Sequence, residues 1–217
     1  MNRFEIMEML LKQQKFFKLV CGAGNEDAEE VKRLAVIYTL AGAKGFDVSA
    51  NEKVVAACAE GIEHALNIAE KFDCRIVIRP FITVSVGMPG DHHVRKAKID
   101  ETKCTLCSLC ISSCPTGAIK PPKILREKCI GCGNCSATCP GNDIITFSHN
   151  RKQLQEVLPK CMRAGAEQIE LHAAIASDQN IMQEWQTINE INPEGHISMC
   201  LDRLHLSNFA LEERVRK

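Results

Sequence analysis

Short apolar runs and amphipathic stretches of helical period follow one another along most of the chain. The apolar run Phe17–Cys21 ends at Gly22, which predicts a buried strand. Asn25, placed to cap a helix, then precedes residues whose apolar positions recur every three or four residues. The pattern predicts five strands in all, at Phe17–Cys21, Phe46–Ser49, Phe81–Val86, Gln168–His172 and His196–Leu201.

The stretches between and after these strands predict helices with ordinary start and stop residues. Asn51 can cap a helix from Glu52 to about Phe72, and Gly42 and Gly165 each follow a helical stretch. Further helices are predicted at 151–163, at 178–191 and from Ser207 onward. Strand followed by helix, at about 30 residues per unit, favours right-handed crossovers and a parallel sheet.

A block of different composition interrupts this pattern. It holds eight of the thirteen cysteines, in two runs. Each run has cysteines separated by two, two and three residues, and a proline follows the fourth cysteine. Two such runs in tandem are typical of a ferredoxin module with two [4Fe–4S] clusters. The runs are Cys104, Cys107, Cys110, Cys114 and Cys129, Cys132, Cys135, Cys139.

The spacing predicts that the two runs exchange their fourth ligands. Three thiolates two residues apart fit one tight loop around one cube, and we expect the fourth cysteine to open a helix and face the neighbouring cube. Apolar pairs at 118–119 and 144–145 are expected to cover the cubes. The predicted ligands are Cys104, Cys107, Cys110 and Cys139 for cluster 1, and Cys129, Cys132, Cys135 and Cys114 for cluster 2.

Two other uses of cysteine fit less well. A single zinc ion takes two separate Cys pairs, whereas here a fourth cysteine and a proline follow three residues on, twice over. A disulfide framework is typical of short secreted chains, and the N-terminal stretch has charged residues throughout rather than the apolar core of a signal peptide. Many cysteines without an export signal predict a cytoplasmic protein.

Charge and hydropathy exclude two kinds of partner at this stage. The 27 basic and 27 acidic side chains balance, so no overall field attracts nucleic acid. No segment is apolar over the length of a bilayer, so no membrane span is predicted.

The cysteine block divides the α/β pattern into two parts. We predict a first part of an α/β domain at 1–94, an inserted α+β two-[4Fe–4S] ferredoxin module at 95–148, and a second part of the α/β domain at 149–217. A closed (β/α) barrel usually takes about 250 residues, and about 160 remain outside the module. The fold is therefore predicted to be a partial (β/α) barrel-like sheet or an open parallel sheet. Self-association is a further expectation, because an incomplete barrel leaves a strand edge to be covered.

Residues on both sides of the cysteine block resemble the light-dependent-period protein (LdpA) family. The resemblance rests on Phe81–Gly87, on Arg95, Lys96 and Ala97 ahead of Cys104, on the opening segment 17–23 with 38–43, and on 169–172. It implies a redox protein with two iron–sulfur clusters, of a kind that in cyanobacteria reports the state of photosynthetic electron transport to the circadian clock. Chains of the family continue well past the end of this one.

Basic residues immediately before Cys104 are candidates for tuning the clusters or docking a partner. His93, Arg95, Lys96 and Lys98 can form a cationic collar that raises the potential of the first cluster or binds an acidic electron donor. The alternative is a solvated linker with no role in redox chemistry.

Three ionisable residues at predicted strand ends are candidates for a pocket. Cys21, His172 and Asp202 each follow or end an apolar run, at the edge where parallel α/β folds carry their chemistry. Structural roles are the alternative for each, since buried thiols are usually inert. No catalytic residue is assigned.

Three classes of function remain open. The protein is a redox sensor, an electron carrier for another protein, or an iron–sulfur oxidoreductase whose α/β domain binds a substrate or flavin. No dinucleotide fingerprint, P-loop or His-Glu-x-x-His motif is present, which favours the first two classes and a protein redox partner. A flavin stays open because flavin sites in barrels have no short motif.

Overall fold

The computed structural model describes residues 1–87, 95–148, 154–173, 177–193, 195–201 and 206–217. The elements in chain order are α1 (Arg3–Lys12), β1 (Lys18–Val20), α2 (Ala28–Leu40), β2 (Gly45–Ser49), α3 (Glu52–Ile68), β3 (Phe81–Gly87), β4 (Lys96–Ile99), α4 (Leu109–Ser112), β5 (Ile119–Lys120), β6 (Lys123–Ile124), α5 (Asn134–Thr138), β7 (Ile145–Ser148), α6 (Leu154–Arg163), β8 (Gln168–His172), α7 (Asp178–Ile191), β9 (His196–Cys200) and α8 (Asn208–Arg216).

The larger domain is a mixed α/β unit around one parallel sheet. Within the described residues the sheet has five strands in the order β1-β2-β3-β8-β9, and every neighbouring pair is parallel. Order in the sheet therefore follows order in the chain, and residues 95–148 lie between the third and fourth strands. The predicted strands and the parallel sheet are confirmed.

One face of the sheet is apolar and is covered by helices. Alternate strand residues such as Val48, Val84 and Leu171 are fully buried and pack in one cluster with side chains from α2, α3, α6 and α7. Because successive side chains of a strand point to opposite faces, every second residue of each strand belongs to this cluster. The helices stack side by side in chain order, as a singly wound sheet requires.

The opposite face is polar and concave. It presents Asp47, Thr83, Ser85 and Gln168, which are all buried. The Lys18 ammonium of β1 forms an ion pair with Glu170 of β8, three strands away. Three strand spacings span about 14 Å in a flat sheet, so this contact requires the polar face to curve inward.

Helix α1 covers the amino-terminal end of this concave face. Met7 and Leu10 pack against Phe81, and the Arg3 guanidinium bonds to Glu167 at 2.5 Å. The sequence analysis missed this helix, although Asn2 and Glu5 form a capping box that the N-x-x-E spacing indicates.

A second local prediction was wrong at the start of α2. The cap is Asp27, whose Oδ1 accepts from the Glu30 amide, while the side chain of Asn25, two residues earlier, accepts from the Asp27 amide. Among the described residues no helix combines the length and apolar character needed to cross a bilayer.

Residues 95–148 form a separate small unit with its own core. Strands β4 and β7 pair antiparallel, as do β5 and β6. Its short helices begin before the third cysteine of each run, so Cys110 lies in α4 and Cys135 in α5, and the fourth cysteine follows the helix. The expectation that the fourth cysteine opens a helix was therefore wrong; the helix instead carries the chain from the third thiol to the fourth.

Candidate metal centre

The two cysteine loops have the same backbone conformation. In the first loop Leu106 and Ser108 have positive φ angles of 57° and 63°. At the matching positions of the second loop Gly131 and Gly133 have φ angles of 70° and 91°. Glycine adopts this left-handed conformation without steric cost, whereas Leu106 and Ser108 are strained by it. Both loops therefore curl around a central space with three cysteines directed inward.

The first of these spaces is a cavity of about 240 Å³. Four cysteines line it, three from the first run and one from the second, together with apolar residues of both segments. The cysteines are Cys104, Cys107, Cys110 and Cys139. Ile99, Ile144 and Ile145 close one side, so the thiols face each other across an apolar space.

The second cavity has the complementary set of cysteines and is smaller, at about 20 Å³. Its thiols belong to Cys129, Cys132, Cys135 and Cys114. Ala118, Ile119 and Phe147 form its apolar lining. The structure thus brings the eight cysteines together in the two quartets predicted from spacing, and the second space is the narrower of the two.

The crowded thiols of the first quartet favour a cationic group bound between them. Burial raises the pKa of the Cys110 thiol, and the neighbouring Cys104, Cys107 and Cys139 raise it further. Four thiolates so close together repel one another unless a cation lies between them. A cationic iron–sulfur core supplies that charge, so the donor set fits such a group.

Backbone amides also point at two of the sulfurs in the second quartet. The Ala118 amide donates to Cys114 Sγ at 3.3 Å, and the Ala97 amide donates to Cys129 Sγ at 3.4 Å. Although burial alone raises it, hydrogen bonds from Thr116 and nearby backbone lower the pKa of the Cys114 thiol. Such bonds stabilise thiolate and are one of the means by which proteins set cluster potentials.

Two of the basic residues before Cys104, Arg95 and Lys96, lie against the second loop, not the first. The Arg95 Nε donates to the Gly131 carbonyl at 2.9 Å, and its guanidinium carbon lies 4.0 Å from the centre of the Phe147 ring. The Lys96 ammonium donates to the Cys129 carbonyl at 2.7 Å. The expectation that these cations act on the first cluster is corrected accordingly, because strand β4 runs beside the second loop. Lys98 is exposed, and His93 lies outside the described residues.

The side of the small unit that carries the second loop contacts the α/β domain through Lys96, Glu127 and Lys128. Lys96, only 4% exposed, donates in addition to the Gly24 carbonyl in the segment after β1. The Glu26 amide donates to the Glu127 carbonyl at 2.9 Å. An ion pair of 3.4 Å joins Lys128 to Asp27. A buried ammonium therefore links the Cys129 backbone to the segment between β1 and α2.

Of the pocket candidates that the structure describes, Cys21 and His172 lie on opposite faces of the sheet. Cys21 packs against the hydrophobic core under the helices, and burial raises its thiol pKa to about 12, so it remains protonated at neutral pH. His172 ends β8 on the concave face and is buried. Asp202 lies outside the described residues.

Around His172 the structure assembles charged residues that sequence reasoning missed. The Lys18 ammonium contacts Glu170 and lies 3.5 Å from Asp47, and Ser85 donates a short hydrogen bond to Asp47. Burial and the Glu170 charge raise the pKa of Asp47 to about 7. Alternation on Phe46-Asp47-Val48 and Ile169-Glu170-Leu171 places both acids opposite the core, which was the available indication.

Two thiol quartets in an antiparallel unit, carried on a parallel α/β domain, are the arrangement of an iron–sulfur protein. A family model described as LdpA Fe-S cluster-binding domain matches residues 95–150, so this part holds an iron–sulfur cofactor. The chain is also 32% identical over 186 residues, 85% of its length, to "Light dependent period A" of Synechococcus elongatus. The chain is therefore similar to this cyanobacterial protein, and the resemblance described above is confirmed.

The chain spans about half of that relative, since the matched part is 51% of the cyanobacterial protein. No solved structure gives a match to this chain.

Proposed function

We propose that the protein carries two [4Fe–4S] clusters and uses their redox state to act on a protein partner. The observation that supports this most directly is the composition of the two cavities. Each contains four cysteine thiols, three from one run and the fourth from the other. Ligands exchanged in this way hold two cubes close together, so electrons pass readily between them.

The two clusters have different environments, which assigns them different roles. Each loop has one exposed cysteine, Cys107 or Cys132, but the first loop and its helix also carry the exposed apolar side chains Leu106, Leu109 and Ile111. An apolar surface beside an exposed ligand suits a redox partner that docks briefly. Cluster 2 lies next to the α/β domain through Lys96. Electrons therefore enter and leave at cluster 1, and cluster 2 communicates with the α/β domain.

This arrangement favours a sensor over a simple carrier. Reduction of cluster 2 adds negative charge beside the Lys96 ammonium, which also holds the Gly24 carbonyl. The segment after β1 is then held more or less tightly according to the charge of the cluster. A partner that binds this segment differently in the two states would read the redox state. The name of the cyanobacterial relative is in keeping with signalling of this kind.

The α/β domain is proposed to be an incomplete (β/α) barrel. Its strands follow chain order, its helices cover one face, and the Lys18–Glu170 ion pair requires a concave polar face. Inward-facing side chains of a barrel lie on such a surface. Self-association through the strand edges at β1 and β9 is the corresponding proposal for the quaternary structure.

A second candidate is an oxidoreductase supplied with electrons by the clusters. The concave face favours it, because it carries Asp47 and Glu170 within its strands and ends β8 with His172, and barrels bind substrates or flavin at the carboxyl ends of their strands. The visible spectrum of anaerobically purified protein distinguishes the two candidates. Broad iron–sulfur absorption alone supports the sensor, and a resolved flavin band supports the enzyme.

Cluster content and ligand exchange are tested by chemical analysis and substitution. We expect about eight iron and eight sulfide per chain. Cys110→Ser should disturb the cluster that uses Cys139, and Cys114→Ser should disturb the other, each read by Mössbauer and EPR spectra. Cys74→Ser, at a cysteine outside both runs, is the matched control. Two bound zinc ions without labile sulfide would contradict the proposal.

The sensor role is tested by the partners that the protein retains in each redox state. The anaerobic full-length chain is held oxidised or reduced with dithionite and used to capture proteins from the source cell extract. A sensor retains different sets in the two states. Identical sets leave electron transfer alone, and turnover of a small molecule with an artificial reductant would favour the enzyme.

A further inference from the structure

The concave face holds a second group of metal-ligand side chains, away from both cysteine runs. The ligand atoms of Glu170, His172 and Cys200 all lie within 4.8 Å of one another. Glu170 and His172 are two residues apart on β8 and so project from the same face. Cys200 on β9 is the register partner of His172. Two hydrogen-bonded strands therefore fix the three side chains.

The distances suit ligands of one ion better than hydrogen-bond partners. His172 Nε2 lies 3.8 Å from Glu170 Oε1, which is too long for a hydrogen bond. Ligands on a tetrahedral zinc ion, with bonds of 2.0 to 2.3 Å, are separated by about 3.3 to 3.6 Å. A small closure of these side chains brings them to that separation.

The other carboxylate oxygen of Glu170, Oε2, is fixed by two hydrogen bonds. Oε2 accepts from the Lys18 ammonium and from Ser198 Oγ, the latter at 2.9 Å. These bonds orient the carboxylate so that Oε1 faces the imidazole. Hydrogen bonds of this kind to a ligating carboxylate are regular features of metal sites.

The charges around the site also accommodate a divalent cation. Glu170 and a Cys200 thiolate are negative, and Asp47, 1% exposed, adds a third acidic group beside Lys18. With all three ionised, their charges balance those of Lys18 and a divalent ion. Without an ion, the buried Asp47 carboxyl and the partly exposed Glu170 carboxyl share a single ammonium, an arrangement that costs free energy.

We propose that Glu170, His172 and Cys200 bind one zinc ion. Carboxylate, imidazole and thiolate are the donors that zinc takes in proteins, and three protein ligands leave a fourth position for water or a ligand oxygen. His172 and Cys200 end their strands, so that position lies at the carboxyl edge, where α/β proteins bind ligands. The site is independent of the proposed clusters and goes beyond their function.

Zinc analysis of the intact protein tests this without any substitution. The full-length chain, with its clusters reconstituted, is incubated with zinc, desalted and analysed for zinc, iron and sulfide. We expect about one zinc per chain at unchanged iron content, with an X-ray absorption spectrum containing one sulfur at about 2.3 Å and nitrogen or oxygen at about 2.0 Å. Zinc surrounded by sulfur alone, or zinc gained as iron is lost, would place it at the cluster cysteines and overturn the proposal.

Variants then assign the ligands. Cys200→Ser and His172→Gln should each abolish stoichiometric zinc while iron and sulfide stay constant, whereas Cys74→Ser retains it. Lys18→Met, which removes a partner of Glu170 but no ligand, should weaken zinc affinity about 10- to 100-fold. Zinc retained in both ligand variants refutes the assignment. Circular dichroism shows whether each variant is folded. If a variant is not folded, the X-ray absorption spectrum of the unsubstituted protein alone tests the zinc ligands.

Discussion

Asp47→Asn should stabilise the α/β domain at neutral pH and remove part of its pH dependence. Asp47 is buried, and burial followed by the Glu170 charge raises its pKa from 3.8 to about 7. Asparagine has nearly the same shape, and its oxygen can still accept from Ser85. Its amide can donate to the Glu170 carboxylate, as the protonated acid does, so the variant resembles the wild type at low pH.

The sign and size of the effect follow from proton binding. Between about pH 5 and 7 the folded state holds a proton on Asp47 that the unfolded state has lost. Stability is therefore greatest at low pH and falls by about 1.4 kcal/mol per pH unit as pH rises toward the folded-state pKa. Although burial opposes it, Lys18 and its hydrogen bonds lower the pKa of Glu170, so Glu170 is ionised in both states across this window. We expect a loss of about 2 kcal/mol from pH 5 to 7 that the variant lacks.

The only tryptophan provides the assay. Trp185 lies on α7 and packs against the core of the α/β domain, so its fluorescence reports unfolding of that domain. Urea titrations are compared between variant and wild type at each pH, anaerobically, without zinc and at matched cluster content. Subtracting the unfolding free energy of the wild type from that of the variant at each pH cancels any pH dependence that comes from the clusters. Glu190→Gln, at an exposed carboxylate on the same helix, is the control. Parallel pH profiles for wild type and Asp47→Asn would refute the reasoning.

Two further predictions concern the cluster loops. Lys96→Met should lower the reduction potential of cluster 2 by on the order of 50 mV, because a buried positive charge that favours the reduced cube is removed. Redox titration followed by EPR measures this potential. Lys98→Met, on the same strand, is the control and should change the potential little. Ser108→Gly should relieve the left-handed strain at φ 63° and stabilise the first loop by up to about 1 kcal/mol. Slower cluster loss to an iron chelator would be its measure, and an unchanged rate would indicate that the strain is not released in the folded loop.

Most of the features that could be predicted from the sequence followed from local apolar periodicity and from the cysteine spacing. The boundaries of β8 and α7 agree with the structure because apolar period, a capping serine and flanking polar residues all favour the same ends. The cysteine spacing indicated the quartets because a loop of that length permits few arrangements. Helix α1 was missed because charged and apolar residues follow one another in it without a clear helical period, although Met7 and Leu10 pack against Phe81.

Contacts between distant segments could not be predicted. Arg95 and Lys96 are adjacent to the first run in sequence, yet pairing of β4 with β7 puts them beside the second loop. The meeting of Lys18 with Glu170 depends on the curvature of a sheet whose strands are 152 residues apart in the chain. No local pattern encodes either contact.

Strand β1 and the segment after it contact both the concave face and the small unit at 95–148, so coupling between the two can be measured. Lys18 on β1 contacts the Asp47–Glu170 pair, and six residues later Gly24 accepts a hydrogen bond from Lys96 beside the second loop. If reduction of cluster 2 changes zinc affinity at the concave face, zinc must change the potential of cluster 2 by the same free energy. A tenfold difference in zinc affinity between oxidation states corresponds to about 59 mV for one electron. Redox titrations with and without zinc measure this shift, and Cys200→Ser should abolish it. Equal potentials in the two titrations would mean that β1 carries no coupling between the clusters and the concave face.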